Sequence, residues 1–332
     1  MEQDIIRNME DSAEVKLSKP GDASSDKEKL AIGRQLVVAT NFLYRDYKAI
    51  TEGEQRKDGD TDGIRGDLAI ECLSEALKLG VRVVAADGGS SVEFLSALEK
   101  FKDNGLTLVT STVAGRAPQR RKAFETATAL ADGKVIIYTQ PEKVSLMRSL
   151  VEISEPILKG QADIVVPKRN PELFEESYPL YMRESEIRVN KTYDGLMQRA
   201  GLMSTDQSLD WFFGPVVFKN DPGIVSLFLK KYELIDQIKS RIGAKPNPEM
   251  NSGDHYFPII EALFKGLRVQ SVEVPFVYPK AQRDNEMSEE KIADFQERRI
   301  RDGAAYRLEA IHFLSYLKGD PRSKIKEVSA AQ

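Results

Sequence analysis

The chain has 332 residues, 41% hydrophobic and 30% charged, enough to bury the core of one large α/β domain or two small ones. A net charge of −4 gives no global attraction for nucleic acid, and no apolar run approaches the length of a membrane span. The single cysteine, Cys72, excludes an intrachain disulfide framework and fits a reducing, cytoplasmic setting.

Residues 1–30 open with charges, lack a signal-peptide apolar stretch and read as a disordered leader; residues 321–332 read as a tail. Between them, residues 31–320 are expected to form a single domain with two halves, 31–168 and 169–320, because no linker separates them. Residues 35–40 (QLVVAT) predict a buried strand. Residues 51–66 predict a flexible loop; Asp58, Asp60 and Asp62 alternate as in a calcium loop, but the bidentate glutamate is missing, so a solvated turn is expected. A helix over 67–79 and a strand over 81–86 follow, then Asp87-Gly88-Gly89. Ser90 and Glu93 have the spacing of a capping box for a helix striped with Phe94, Ala97, Leu98 and Phe101.

The pattern repeats with a strand over 106–110, a helix from Pro118 to Ala131, a strand over 135–138, a helix over 145–159 and a strand over 163–166. Strands joined by helices over this many units predict a doubly wound, mostly parallel sheet. Ligands then belong beyond the carboxyl ends of the strands, which selects Asp87, residues 115–121 and residues 139–143. After Lys168 the rhythm changes: helical segments over 178–202, a strand pair over 211–219 pivoting on Gly214-Pro215, a helix over 254–265, a strand over 269–274 and a long charged helix over 288–317. Arg298, Arg299 and Arg301 of that last helix suit a neighbouring chain or a membrane surface as well as solvent.

Two segments carry candidate anion chemistry. Gly115, Arg116, Arg120 and Arg121 surround a predicted helix start, whose free amides and positive dipole end attract anions, and whose guanidinium forks match phosphate oxygens. The alternative is a solvated basic face. Asp87 either accepts hydrogen bonds from a nucleobase or holds a helix-leading turn.

The order strand, DGGS, helix, strand, GRAPQRRKA, helix ending in ADG, strand resembles the nucleotide-sugar half of family-2-type glycosyltransferases of the GT-A fold. ADIVVPKR at 162–169 and Gly253-Asp254-His255 followed by a helix and Gly266-Leu267-Arg268-Val269 are similar to later segments of these enzymes, so the resemblance covers residues 35–280. It implies a GT-A fold, a nucleotide-sugar donor, a hydroxyl acceptor and a transferase in which Asp254 takes the acceptor proton if the enzyme inverts or orients the acceptor if it retains; Asp254 as a plain helix cap is the competing reading. It also implies that Asp87, Gly115, Arg116, Arg120, Arg121, Gln140, Glu142 and Lys143 face the donor, and Trp211, Gly214, His255, Lys280 and Arg283 the sugar or acceptor side. For Trp211 a core position, and for His255 a surface helix position, remain the alternatives.

The chain departs from the family at the D-x-D motif, where carboxylates ordinarily hold Mg²⁺ or Mn²⁺ against the diphosphate. Here Thr139-Gln140-Pro141-Glu142-Lys143 leaves Glu142 as the one carboxylate for a metal and puts a lysine beside it. Three readings follow: a metal held by Glu142 alone, Lys143 neutralising the leaving diphosphate instead, or a catalytically inactive GT-A-like protein that binds a nucleotide or a partner.

Overall fold

The computed structural model describes residues 23–50, 54, 56–57, 59–111, 113, 115–130, 133–232 and 253–319. Seven strands form one sheet: β1 (Leu36–Phe42), β2 (Arg82–Asp87), β3 (Leu106–Thr110), β4 (Val135–Tyr138), β5 (Ile164–Arg169), β6 (Val216–Lys219) and β7 (Val269–Val274). Their spatial order is β3-β2-β1-β4-β6-β5-β7, with β6 antiparallel to both neighbours and every other pair parallel. This is the doubly wound, mostly parallel sheet flanked by helices that the sequence predicts. Strand β6 comes from the second half of the chain and inserts between β4 and β5, so one sheet runs through both halves.

Alternation along the strands builds two cores, since successive side chains point to opposite faces. Val37, Ala39, Val84, Ala86, Ile136 and Tyr138 join one cluster, whereas Leu36, Val38, Val83, Ala85, Val135 and Ile137 join the other. The first face is covered by α4 (Arg116–Thr128), α7 (Leu180–Arg199), α8 (Pro222–Leu229), α9 (Gly253–Phe264) and α11 (Glu289–Leu317). The second is covered by α2 (Thr61–Lys78), α3 (Val92–Lys102) and α5 (Leu150–Leu158). Helix α1 (Ala23–Gly33) precedes β1, while α6 (Pro171–Ser177) and α10 (Lys280–Glu286) lie beside the carboxyl edge. No helix among the described residues is long and apolar enough to cross a membrane.

Several local expectations are corrected. Residues 61–66 belong to α2 rather than to a loop, because the Asp60 carboxylate caps the helix by accepting from the Gly63 N–H at 2.8 Å; Asp58 lies outside the described residues. Helix α3 is capped by Ser91, which accepts from the Phe94 N–H; Ser90 instead accepts from the Tyr44 N–H at 3.0 Å, tying β1's exit to the β2 turn. Helix α4 begins at Arg116 with Pro118 inside its first turn and ends at Thr128, while Ala131 lies outside the described residues. The 145–159 segment divides into a 3₁₀ turn (Val144–Ser149) and α5. Residues 211–213 form a turn, leaving β6 alone where a strand pair is expected.

Candidate functional site

A cleft of about 610 Å³ opens at the carboxyl end of β4. Helix α4 brings Arg116 and Arg120, the β4 exit brings Gln140, Glu142 and Lys143, and α9 brings His255 and Tyr256. Helix α4 reaches this position because its sheet-facing side is small. Ala117, Ala123 and Ala127 are fully buried against β1 and β2, which permits close approach of helix to sheet. Gly115 makes the sharp entry at φ 115°, in the left-handed region that a side chain would strain.

Arg120 is 4% exposed, yet its Nε and Nη1 have no hydrogen-bond partner. Its guanidinium carbon lies 5.2 Å from the centre of the Tyr138 ring. A buried guanidinium left with free donors costs stability unless something in the cleft accepts from it. Arg116, one helical turn earlier, has no ion-pair partner among the described residues. The Lys143 ammonium rests on aromatic faces, 4.5 Å from the Phe213 ring and 4.9 Å from Phe276. Burial, with Arg169 nearby, pulls its pKa down to about 8. These three cations form an unsatisfied positive rim, and Arg116, Arg120 and Lys143 share one cavity.

His255 is also in the cleft, 5.4 Å from the Tyr138 ring, rather than on an open helix surface. Burial and the charges of Arg120, Arg116 and Lys143 hold its pKa well below the usual histidine range, so the imidazole is neutral at pH 7. Gln140 turns into the cleft with Oε1 buried and unpartnered. Gly214 makes room for it: at φ 97°, a β-carbon there would sit 2.2 Å from Gln140 Nε2.

Glu142 is spoken for. Its Oε1 accepts from the Tyr44 hydroxyl at 2.8 Å and pairs with the Arg65 guanidinium, all on the side of the cleft facing α2. Arg65 is a residue the sequence reading assigned to a loop, and Tyr44 carried no signal at all; only the packing of α2 against the β4 exit shows them as partners. A divalent cation does not fit this donor set. Of the three carboxylates in the described lining, Glu142 is paired with Arg65, Glu186 with Arg169 and Arg299, and Glu286 accepts from Tyr278 and Gln282, while Arg116, Arg120 and Lys143 would repel the ion.

Other candidates are not brought to the cleft. Asp87, 4% exposed at the end of β2, accepts from the Gly89 and Ser90 N–H groups at 3.0 and 2.9 Å, the geometry of the helix-leading turn. Trp211 is 2% exposed and donates from Nε1 to Asp194 at 2.8 Å, so it is core rather than a sugar platform. Arg121 is not among the residues that line the cavity. Lys280 is exposed and Arg283 lies 3.5 Å from Asp284, while α10 presents Gln282 and Glu286 to the cleft in their place. Asp254 is the second residue of α9, next to His255, but its side chain lies outside the described residues. Ala131 and Asp132 of the ADG motif lie outside them too.

Beneath the cleft is a buried charge network invisible in the sequence. The Arg169 guanidinium forks onto Asp210 with two bonds of 2.7 Å and reaches Glu186 at 2.6 Å, and Arg299 donates to the other Glu186 oxygen at 2.9 Å. Asn190 adds a bond to Asp210 at 2.7 Å. Despite burial, Glu186 and Asp210 hold Arg169 well above the ordinary arginine pKa. Glu186 and Arg299 themselves line the cleft wall opposite Lys143.

No family model matches this chain, and no curated protein matches it by sequence. Solved structures resemble it distantly. Glucosyl-3-phosphoglycerate synthase from Mycobacterium tuberculosis, in complex with phosphoglyceric acid, is 12% identical with a TM-score of 0.47, over 91% of this chain and 86% of that one. TarS 1-349 from S. aureus in complex with UDP is 13% identical with a TM-score of 0.43, over 89% and 76%. Mannosyl-3-phosphoglycerate synthase from Rubrobacter xylanophilus is 10% identical with a TM-score of 0.43, over 95% and 83%. These proteins are what the chain is similar to; its cleft has to be judged on its own residues.

Proposed function

We propose that the chain is a glycosyltransferase that moves a sugar from a nucleotide-sugar donor to a hydroxyl acceptor. One observation carries the reading: the buried Arg120 guanidinium, whose Nε and Nη1 have no hydrogen-bond partner, set with Arg116 and Lys143 in a cleft at the strand ends. Fixed cations in a partly dry cleft favour a diphosphate over water and stabilise the charge that develops on it as it leaves. In the proposed reaction the acceptor oxygen bonds to the anomeric carbon as the bond from that carbon to the diphosphate oxygen breaks. The electron pair leaves with the diphosphate, and the acceptor proton passes to Asp254. Gln140 and Gly214 lie on the sugar side of the cationic rim, and His255, neutral, donates or accepts one hydrogen bond without adding charge. Asp87 and Arg121 retain at most an outer role in holding the nucleotide turn and the α4 surface. No helix among the described residues is long and apolar enough to cross a membrane, and the proposed place of action is the cytoplasm.

No step is assigned to Mg²⁺ or Mn²⁺, because Arg65 already occupies the charge of Glu142. The test is calorimetric titration with UDP, GDP and ADP, with and without EDTA, on wild type and Arg120→Leu. Binding unaffected by EDTA and weakened about 10- to 100-fold by the substitution is expected, the value of charge-assisted bonds. Equal affinity in both proteins would remove the basis of the reading. Donor turnover that survives in Asp254→Asn would remove that residue from the mechanism, and binding without turnover in wild type would favour a non-catalytic nucleotide-binding protein.

A further inference from the structure

Away from the cleft, α7 and α11 form a second continuous surface. The helices run side by side in the same direction: Arg299 meets Glu186, Gly303 lies beside Val189, and the Tyr193 hydroxyl donates to the Tyr306 carbonyl. At helical periodicity Arg188, Thr192 and Arg199 share the outward face of α7, and Ile300, Arg307 and Ile311 the adjoining face of α11. A shallow groove joins them, with Lys191 and Leu196 in its lining.

Two observations set this face apart. The four cations of the groove, Arg188, Lys191, Arg199 and Arg307, have no carboxylate partner among the described residues. Around them the aliphatic side chains stand out into solvent: Ile300 is 75% exposed, Leu308 44%, Ile311 41% and Ile187 38%. Lys318, exposed and seven residues beyond Ile311, continues the cationic row; Glu184 and Glu297 flank only its opposite end. On a chain of net charge −4 this is a local reversal of sign combined with apolar exposure.

That combination selects among occupants. A second copy related by a twofold axis would set this row of like charges against itself. Nucleic acid would use the cations but leave the aliphatic side chains in water, and the groove has no aromatic ring for a base to stack on. A bilayer with acidic lipids satisfies both, drawing the cations to its surface potential and taking the aliphatics into the headgroup boundary. We propose that the α7–α11 face docks the protein on an anionic lipid bilayer. Arg299, which the run 298–301 offers as a surface charge, is instead held in the cleft by Glu186 and is not one of the docking charges. The same two helices line the cleft with Ser185, Val189 and Tyr306, and docking would bring that wall beside the headgroups.

The experiment is co-sedimentation of the full chain with phosphatidylcholine vesicles, with and without phosphatidylglycerol, at low and high salt. Binding only to the acidic vesicles, released by salt, is expected. Each neutralised cation should lower the partition coefficient about fivefold, so Arg188→Gln/Lys191→Gln/Arg199→Gln should abolish sedimentation. Ile300→Ser/Ile311→Ser should weaken it with the charge intact. Pyrophosphate affinity, read in the same proteins, should stay at the wild-type value, which separates this surface from the donor cleft and reports that the variants fold. Failure to sediment with acidic vesicles, equal binding to neutral ones, or a dimer in sedimentation velocity that Ile300→Ser/Ile311→Ser dissociates would each overturn the proposal.

Discussion

Lys143 is a cation kept poor in protons by its surroundings. Its pKa of about 8 means that the ammonium form is lost as pH rises through that value, whereas an exposed lysine would keep its proton to about 10.4. The donor rim therefore carries one charge fewer above pH 8. Nucleoside diphosphate affinity should fall as pH increases from 7 to 9, and the fall should be absent in Lys143→Arg, measured by calorimetry across that range. By linkage, bound diphosphate raises the lysine pKa, so binding near pH 8 should take up protons. Gly214 is a second residue-scale test. Gly214→Ala must both accept a left-handed backbone and displace the Gln140 amide, which should cost about 1–3 kcal/mol in urea denaturation and weaken sugar-donor binding. A stability change below the error of the melt would mean that Gln140 is free to leave.

At the scale of elements, the wall of the cleft depends on a buried ion network rather than on helix propensity. Helix α6 is separated from α7 because Pro179 forces Tyr178 into an extended conformation, and the break lets α7 cross the sheet edge with Glu186 facing Arg169. Breaking a buried pair leaves its partner charged and dry, so Asp210→Ala should destabilise by about 3–5 kcal/mol. The apolar pair of changes Arg169→Met/Asp210→Leu should cost less than that single substitution, because Glu186 keeps Arg299 as its partner and no buried charge is left unpaired. Chemical denaturation of the three proteins gives the comparison. A single substitution that cost no more than a surface one would show the network to be dispensable.

Over the whole molecule, α11 is part of the core. Ala310, Phe313 and Leu314 are buried, and Phe313 stacks on Phe257 of α9 with ring centres 4.2 Å apart. Truncation after Met287 should expose this face together with Phe257 and Tyr232, giving a chain that aggregates or binds a hydrophobic dye. A soluble truncation with an unchanged melting temperature would contradict that assignment.

What the sequence determined by itself is the layering. Uninterrupted β-branched runs such as VRVVAA and VIIY, alternating with amphipathic helices, suffice for a doubly wound sheet, because burial on both faces dictates that composition. The arginines at 116 and 120 were legible for a similar reason: a glycine before a helix start is a local signal, and four-residue spacing puts both on one side. Glu142 was legible as a position but not as a partner. Whether it holds a metal depends on Arg65, 77 residues away by the numbering, and on Tyr44, which only the packing of α2 against the β4 exit brings to it. Trp211 and Asp87 stayed open between two readings for the same reason, since a side chain's local pattern is identical whether it faces a cavity or a core. Tertiary structure decided that, along with Arg169, Glu186, Asp210 and Arg299, because electrostatic partnership is set by distance in space and leaves no periodicity in the chain.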